Sequence, residues 1–270
     1  MTRRLIALDI DGTILLEDES FSPGAVEAAL AAEAGGHIVT LATGRSWEAT
    51  HRILDRLGIR PEYVVCSNGA AIMSRDAAAP GGYARHTTET FDPAPVLDLL
   101  LEHLPAANYM VELEDGRRRY THSVGDWLLD DANSEMVTFD GLKGDPVSRV
   151  VVVSPEHTDG EFLSLVERMG LTQVSYSVGW TAWLDIAPDG VDKSTALEQV
   201  RALLGVDGSD VVVIGDGRND LGMFGWAAGL DGRAFAMGQA PEEVSHAATD
   251  ITDDVEDGGV AAAFETLGVV

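Results

Sequence analysis

The chain has 270 residues, enough for one large domain or two smaller ones with a substantial core. Its 45% hydrophobic content is ordinary, but 45 acidic against 18 basic residues leave a net charge of −27. That balance argues against a nucleic-acid or anionic-membrane partner, because phosphate surfaces reward positive charge.

In chain order, "RLIALDI" predicts a buried strand, followed by a helix over "GAVEAALAAEA" with Ser22 and Pro23 as its start signal and Gly35–Gly36 as its stop. "HIVTLA" is a second strand, Ser46 to Leu57 a helix, and "YVVCS" a third strand. Strands alternating with helices in this way predict right-handed βαβ units and a parallel sheet. Around "RDAAAPGGYAR" the rhythm breaks. A helix over "PAPVLDLLLEHL", strands over "NYMVELE" and "RRRYTH", strands at 149–154 and 181–188, and a helix near 160–169 predict an α+β module. From about Pro188 the first pattern returns, with a helix over "STALEQVRALLG", a strand over "DVVVIG", a helix from about Asn219 and a short strand over "RAFAM". The expected architecture is α/β: a Rossmann-like, doubly wound parallel-sheet core of residues 1–85 and 187–270, with residues 86–186 inserted as a second domain.

Ligands of open parallel sheets bind beyond the carboxyl ends of the strands. There the sequence places Asp9, Asp11 and Gly12; then Thr43, Gly44 and Arg45; then Asn68 and Gly69; then Asp216, Arg218, Asn219 and Asp220. Asp9 and Asp11, two apart on an extended strand, are expected on one face, where their like charges require a compensating cation. Oxygen donors without histidine or cysteine suit Mg²⁺. Lys193, one of only two lysines, adds positive charge just before a core helix. Thr43 and the amides around Gly12 and Gly44 suit phosphate oxygens. One aspartate can then attack phosphorus and the other move protons.

"DIDGT", "TGR", Lys193 and "GDGRND" resemble the four motifs of the haloacid dehalogenase superfamily of phosphohydrolases, most closely its Cof-like branch with a type IIB cap. "CSNGAAI", "AFAMGQAPEEV" and "DDVEDGGVAAAFETL" extend the resemblance through the core. It implies Asp9 as nucleophile, Asp11 as general acid/base, Thr43 as phosphoryl ligand and Lys193 as the orienting cation. It also implies Mg²⁺ held by the Asp9 carboxylate, the Asp11 carbonyl and Asp216, with Asn219 and Asp220 in or near that shell. Gly44, Arg45, Asn68 and Gly69 would lie near the substrate, and the inserted domain would be a specificity cap. Two departures stand out: Asp192, an extra acid beside Lys193, and Gln239 where Asn is usual.

The expected activity is Mg²⁺-dependent hydrolysis of a small phosphorylated metabolite, a sugar phosphate or similar phosphomonoester. A phosphomutase or a non-catalytic phosphometabolite sensor are the alternatives. "GDGRND" is no dinucleotide fingerprint, since its sixth residue is Asp220, and "DKST" lacks the glycine of a P-loop. "RRRY" at 117–120 reads as a solvated strand face or an anion patch, and Trp127, Trp180 and Trp183 as core of the inserted domain. Cys66 reads as a buried structural thiol, and His122 as structural or surface. A single cysteine and the lack of a signal-peptide pattern or a membrane-length apolar run predict a cytoplasmic protein. The lysine-poor acidity suits either a high-salt cytoplasm or an acidic mesophilic enzyme. Oligomeric state is left open.

Overall fold

The computed structural model describes residues 3–123, 132–172, 174–178 and 182–269. The chain divides into two compact units, Met1–His86 with Asp192–Val270, and Thr87–Val191.

The first unit is built on a five-stranded parallel sheet. β1 (Leu5–Leu8) is an inner strand, between β12 (Val211–Gly215) and β2 (Ile38–Leu41), and β13 (Arg233–Ala236) and β14 (Asp250–Ile251) extend the sheet beyond β12. Leu8 is level with both Leu41 and Ile214, so β1, β2 and β12 end at one edge. β1, β2 and β12 are buried throughout and largely apolar because both faces are covered; the one polar side chain among them, Thr40, donates to the Tyr63 carbonyl. Ile6, Leu8, Val39, Leu41, Val212 and Ile214 join one core cluster with α1 (Ala25–Ala34), α2 (Trp47–Leu57) and α8 (Gly259–Leu267). Leu5, Ala7, Ile38, Val211 and Val213 pack on the other side with α5 (Lys193–Leu204), α6 (Leu221–Gly229) and the short α7 (Glu242–Ala247). Ser22 does not cap α1; Gly24 holds that position at φ 73°, and the Ser22 hydroxyl donates to the Val255 carbonyl at 2.6 Å. The broken region at 75–85 proves to be a turn between two strands. β3 (Tyr63–Cys66), β4 (Ala71–Arg75) and β5 (Tyr83–Thr88) form a separate three-stranded sheet.

The second unit is a six-stranded sheet with one face covered by helices. Its strands are β6 (Asn108–Leu113), β7 (Arg118–Tyr120), β8 (Ser134–Met136), β9 (Val147–Val153), β10 (Val174–Val178) and β11 (Trp183–Pro188). β8 and β10 were not anticipated; β8 is three residues long and mostly exposed, so it carries no apolar pattern. α3 (Ala94–His103) and α4 (Asp159–Met169) share an apolar core with β6, β9 and β11. The "RRRY" arginines are neutralised locally: Arg117 pairs with Asp115 and Arg119 with Asp145, each at 2.7 Å, while Arg118 is buried beside Glu112. This local pairing argues against an anion patch, while the burial of Arg118 also departs from the solvated strand face expected. Trp183 donates to Asp185 on the other sheet face, while Trp127 and Trp180 lie outside the described residues. Among the described residues, no helix is long and apolar enough to cross a membrane.

Candidate active site

The carboxyl edge of the parallel sheet gathers the predicted residues. Asp9 follows β1 and is held in register by its amide, which donates to the Ile214 carbonyl at 2.9 Å. Thr43 follows β2, and its amide donates to the Val65 carbonyl. Asp216 follows β12. Asp9, Asp216 and Asp220 are all buried, and one oxygen of each lies within 4.8 Å of the others. Lys193 opens α5, is buried, and reaches Asp9 Oδ1 at 2.8 Å and Asp220 Oδ1 at 2.6 Å. The other Asp220 oxygen accepts from the amides of Asp216 and Gly217, both at 2.9 Å. Asp220 is therefore committed to Lys193 and its own loop, leaving Asp9 and Asp216 as the carboxylates free to take a new ligand.

Burial and the neighbouring Asp220 push the Asp9 carboxyl well above the usual range, against the opposing pull of Lys193. Asp216 is pushed up to about 7, first by burial and then by Asp220. Burial works against the Lys193 charge, but Asp220 and Asp9 outweigh it and raise its pKa. A carboxyl whose folded pKa is raised stabilises the fold fully below its unfolded value and loses that contribution as pH rises through the folded value. With divalent cations chelated, stability should therefore fall between about pH 4 and 7, by up to about 1.4 kcal/mol per pH unit for one proton. Asp216→Asn should remove Asp216's share of that slope; denaturant titrations in chelator across this range, giving equal slopes for both proteins, would refute the assignment.

Asp9 and Asp11 do not continue one strand, and their surroundings differ. β1 ends at Leu8, and Gly12 turns the chain at φ 67°, so Asp9 is buried while the Asp11 side chain is 60% exposed. A side chain at Gly12 would strike the Asp216 carboxylate, its Cβ only 2.1 Å from Oδ2. The Asp11 carboxylate instead pairs with Arg45. The amides of Asp11 and Gly44 have no hydrogen-bond acceptor among the described residues, which suits a bound anion. Thr43 Oγ1 accepts from the Arg45 amide at 3.1 Å, leaving its own proton to donate. Asn68 and Asn219 bond to each other at 3.1 Å, tying the loop after β3 to the one after β12. Gly69, at φ 99°, abuts the Lys193 loop; a Cβ there would lie 2.0 Å from the Asp192 carbonyl oxygen. Its place is explained by this close approach. The Asp192 carboxylate caps α5, accepting from the Thr195 amide and the Ser194 hydroxyl. Gln239, unassigned by sequence reasoning, spans two loops: its amide donates to the Gly12 carbonyl at 2.6 Å and accepts from Val255.

A profile of the haloacid dehalogenase-like hydrolases matches residues 6–264. The chain belongs to this family. The hydrolase is 27% identical over 265 residues to the 5-amino-6-(5-phospho-D-ribitylamino)uracil phosphatase YitU of Bacillus subtilis, covering 95% of this chain and 94% of that one. It is 28% identical over 249 residues to a phosphoglycolate phosphatase of Natronomonas pharaonis, covering 92% and 90%. Its fold matches that of the HAD subclass IIB sugar phosphatase BT4131 with a TM-score of 0.79, at 20% identity over 99% of this chain and 100% of the other. The hydrolase thus has the α/β fold with a parallel sheet expected from its sequence.

Proposed function

We propose that this hydrolase is a Mg²⁺-dependent phosphomonoesterase acting on a small phosphorylated metabolite through a covalent phosphate on Asp9. The observation that carries this reading is the convergence of Asp9, Lys193, Asp216 and Asp220 with Thr43 and the Asp11 and Gly44 amides at one sheet edge. Named phosphatases among its relatives support it.

The donor set fits a hard divalent cation: three buried carboxylates face one ammonium, and all the candidate donors are oxygens. Asp9 and Asp216 would hold Mg²⁺, which when bound would supply electrostatic stabilisation of the phosphoryl group. Asp9 attacks phosphorus as the ester P–O bond breaks, and Asp11 gives its proton to the departing oxygen, which leaves as an alcohol. Water then attacks the phosphorus on Asp9, and Asp11 takes the proton released. The Asp9–phosphorus bond breaks, freeing inorganic phosphate and restoring the carboxylate. Lys193 orients Asp9 and offsets negative charge, while Thr43 and the two amides cradle phosphoryl oxygens. The Thr87–Val191 unit is proposed to choose the substrate.

A panel of phosphorylated metabolites is expected to yield inorganic phosphate with Mg²⁺ present and none after chelation. Binding of phosphate analogues with no ester turned over would overturn the assignment, as would transfer to a substrate hydroxyl without phosphate release.

A further inference from the structure

Arg45 was expected beside the substrate, yet its side chain is otherwise engaged. Nε and Nη2 both grip the Asp11 carboxylate, at 2.9 and 2.5 Å, and Nη1 donates to Glu19 at 3.2 Å. Among the described residues, the Asp11 carboxylate accepts from no other side chain. A two-pronged guanidinium–carboxylate contact fixes direction as well as distance, which a single ammonium cannot do.

The grip is itself supported. Glu19 sits at φ 62°, a left-handed conformation that costs a non-glycine residue energy. Its carbonyl is held there by Arg56 Nη2 at 2.7 Å, and the Arg56 guanidinium lies 4.8 Å from the Phe21 ring centroid. Burial disfavours the Arg45 charge, but Asp11 and Glu19 more than compensate. At its other end the Arg45 amide donates to the Thr43 hydroxyl. One residue thus links the proposed phosphoryl ligand to the proposed proton carrier.

We propose that Arg45 is a positioning residue: it aims the Asp11 carboxyl group at the leaving oxygen and does not bind the phosphoryl group. This rests on the phosphatase reading above. To engage substrate, Arg45 would have to abandon two carboxylates, one of them gripped at both ends. A side chain acting through the proton donor matters most when the leaving group is poor, because a good leaving group departs with little help from a general acid.

The test compares kcat/KM for phenyl phosphate and p-nitrophenyl phosphate, with Mg²⁺, in wild type, Arg45→Gln, Arg45→Lys, Asp11→Asn and Arg45→Gln/Asp11→Asn. Because Arg45 is partly exposed, its variants should fold, which melting curves will verify. Arg45→Gln is expected to slow phenyl phosphate more than p-nitrophenyl phosphate, widening the ratio between them about tenfold or more. Lysine should rescue that ratio in part. In the Asp11→Asn background the glutamine substitution should not widen the ratio further. Equal losses on both esters, dominated by raised KM and persisting without Asp11, would make Arg45 a substrate ligand and overturn the proposal while leaving the phosphatase reading intact. If wild type hydrolyses neither these esters nor any of the metabolite panel, the phosphatase reading fails and the proposal fails with it.

Discussion

Asp9→Ala is expected to lower turnover of any phosphate ester by at least about a thousandfold, since Asp9 is the proposed carrier of the covalent phosphate. The stability change should run the other way. Burial, Asp220 and Asp216 all disfavour the Asp9 charge in the folded chain. Removing that carboxylate relieves repulsion, so the metal-free variant at pH 8 should be as stable as wild type or more so. Loss of activity with retained or raised stability separates a nucleophile from a structural residue. Phosphate-release assays and denaturant titrations on one preparation supply both readings. A variant with more than a tenth of wild-type turnover would place the covalent chemistry elsewhere.

Lys193→Met should lose both activity and stability. Lys193 is buried and touches two buried carboxylates, Asp9 and Asp220. Breaking a buried ionic cluster by removing one partner typically costs about 3–5 kcal/mol, because the remaining charge has no compensation. The deficit should be larger at pH 8 than at pH 5, where the stranded carboxyls can take up protons. Chemical denaturation at the two pH values checks the sign. A deficit independent of pH would indicate lost packing of the lysine stem in place of lost charge pairing.

Much of this site was legible because its residues come directly after strands with a plain apolar signature. "RLIALDI", "HIVTLA" and "DVVVIG" are apolar runs too short for helices, and the residues after them had to lie at one sheet edge. Lys193 was legible for a different reason, its rarity. The relation between Asp9 and Asp11 was not. The two-residue period holds only while a strand continues, and β1 stops at Leu8 before Gly12 turns the chain. Asp220 was expected in or near the shell of the proposed metal, but spacing alone could not show that one oxygen serves Lys193 and the other two backbone amides. Gln239 acts through long-range contacts with Gly12 and Val255, for which no local pattern exists. The short strand β8 and the strands flanking "RDAAAPGGYAR" escaped because pairing with neighbours, more than their own composition, makes them strands.

The place of β1 between β2 and β12 also bears on how the chain is synthesised. Leu5 pairs with Ile38 on one side and with Val211 on the other. The strand that leads into Asp9 thus emerges from the ribosome early, but one of its neighbours emerges much later. Contacts so distant along the chain must close a large loop before they return any free energy, which slows folding. Thr87–Val191, with its own core and mostly antiparallel pairs, has no such dependence on the far end of the chain. Until the last third arrives, "LIAL" is an apolar strand with an open edge, and this is the interval in which the nascent chain most needs protection from aggregation.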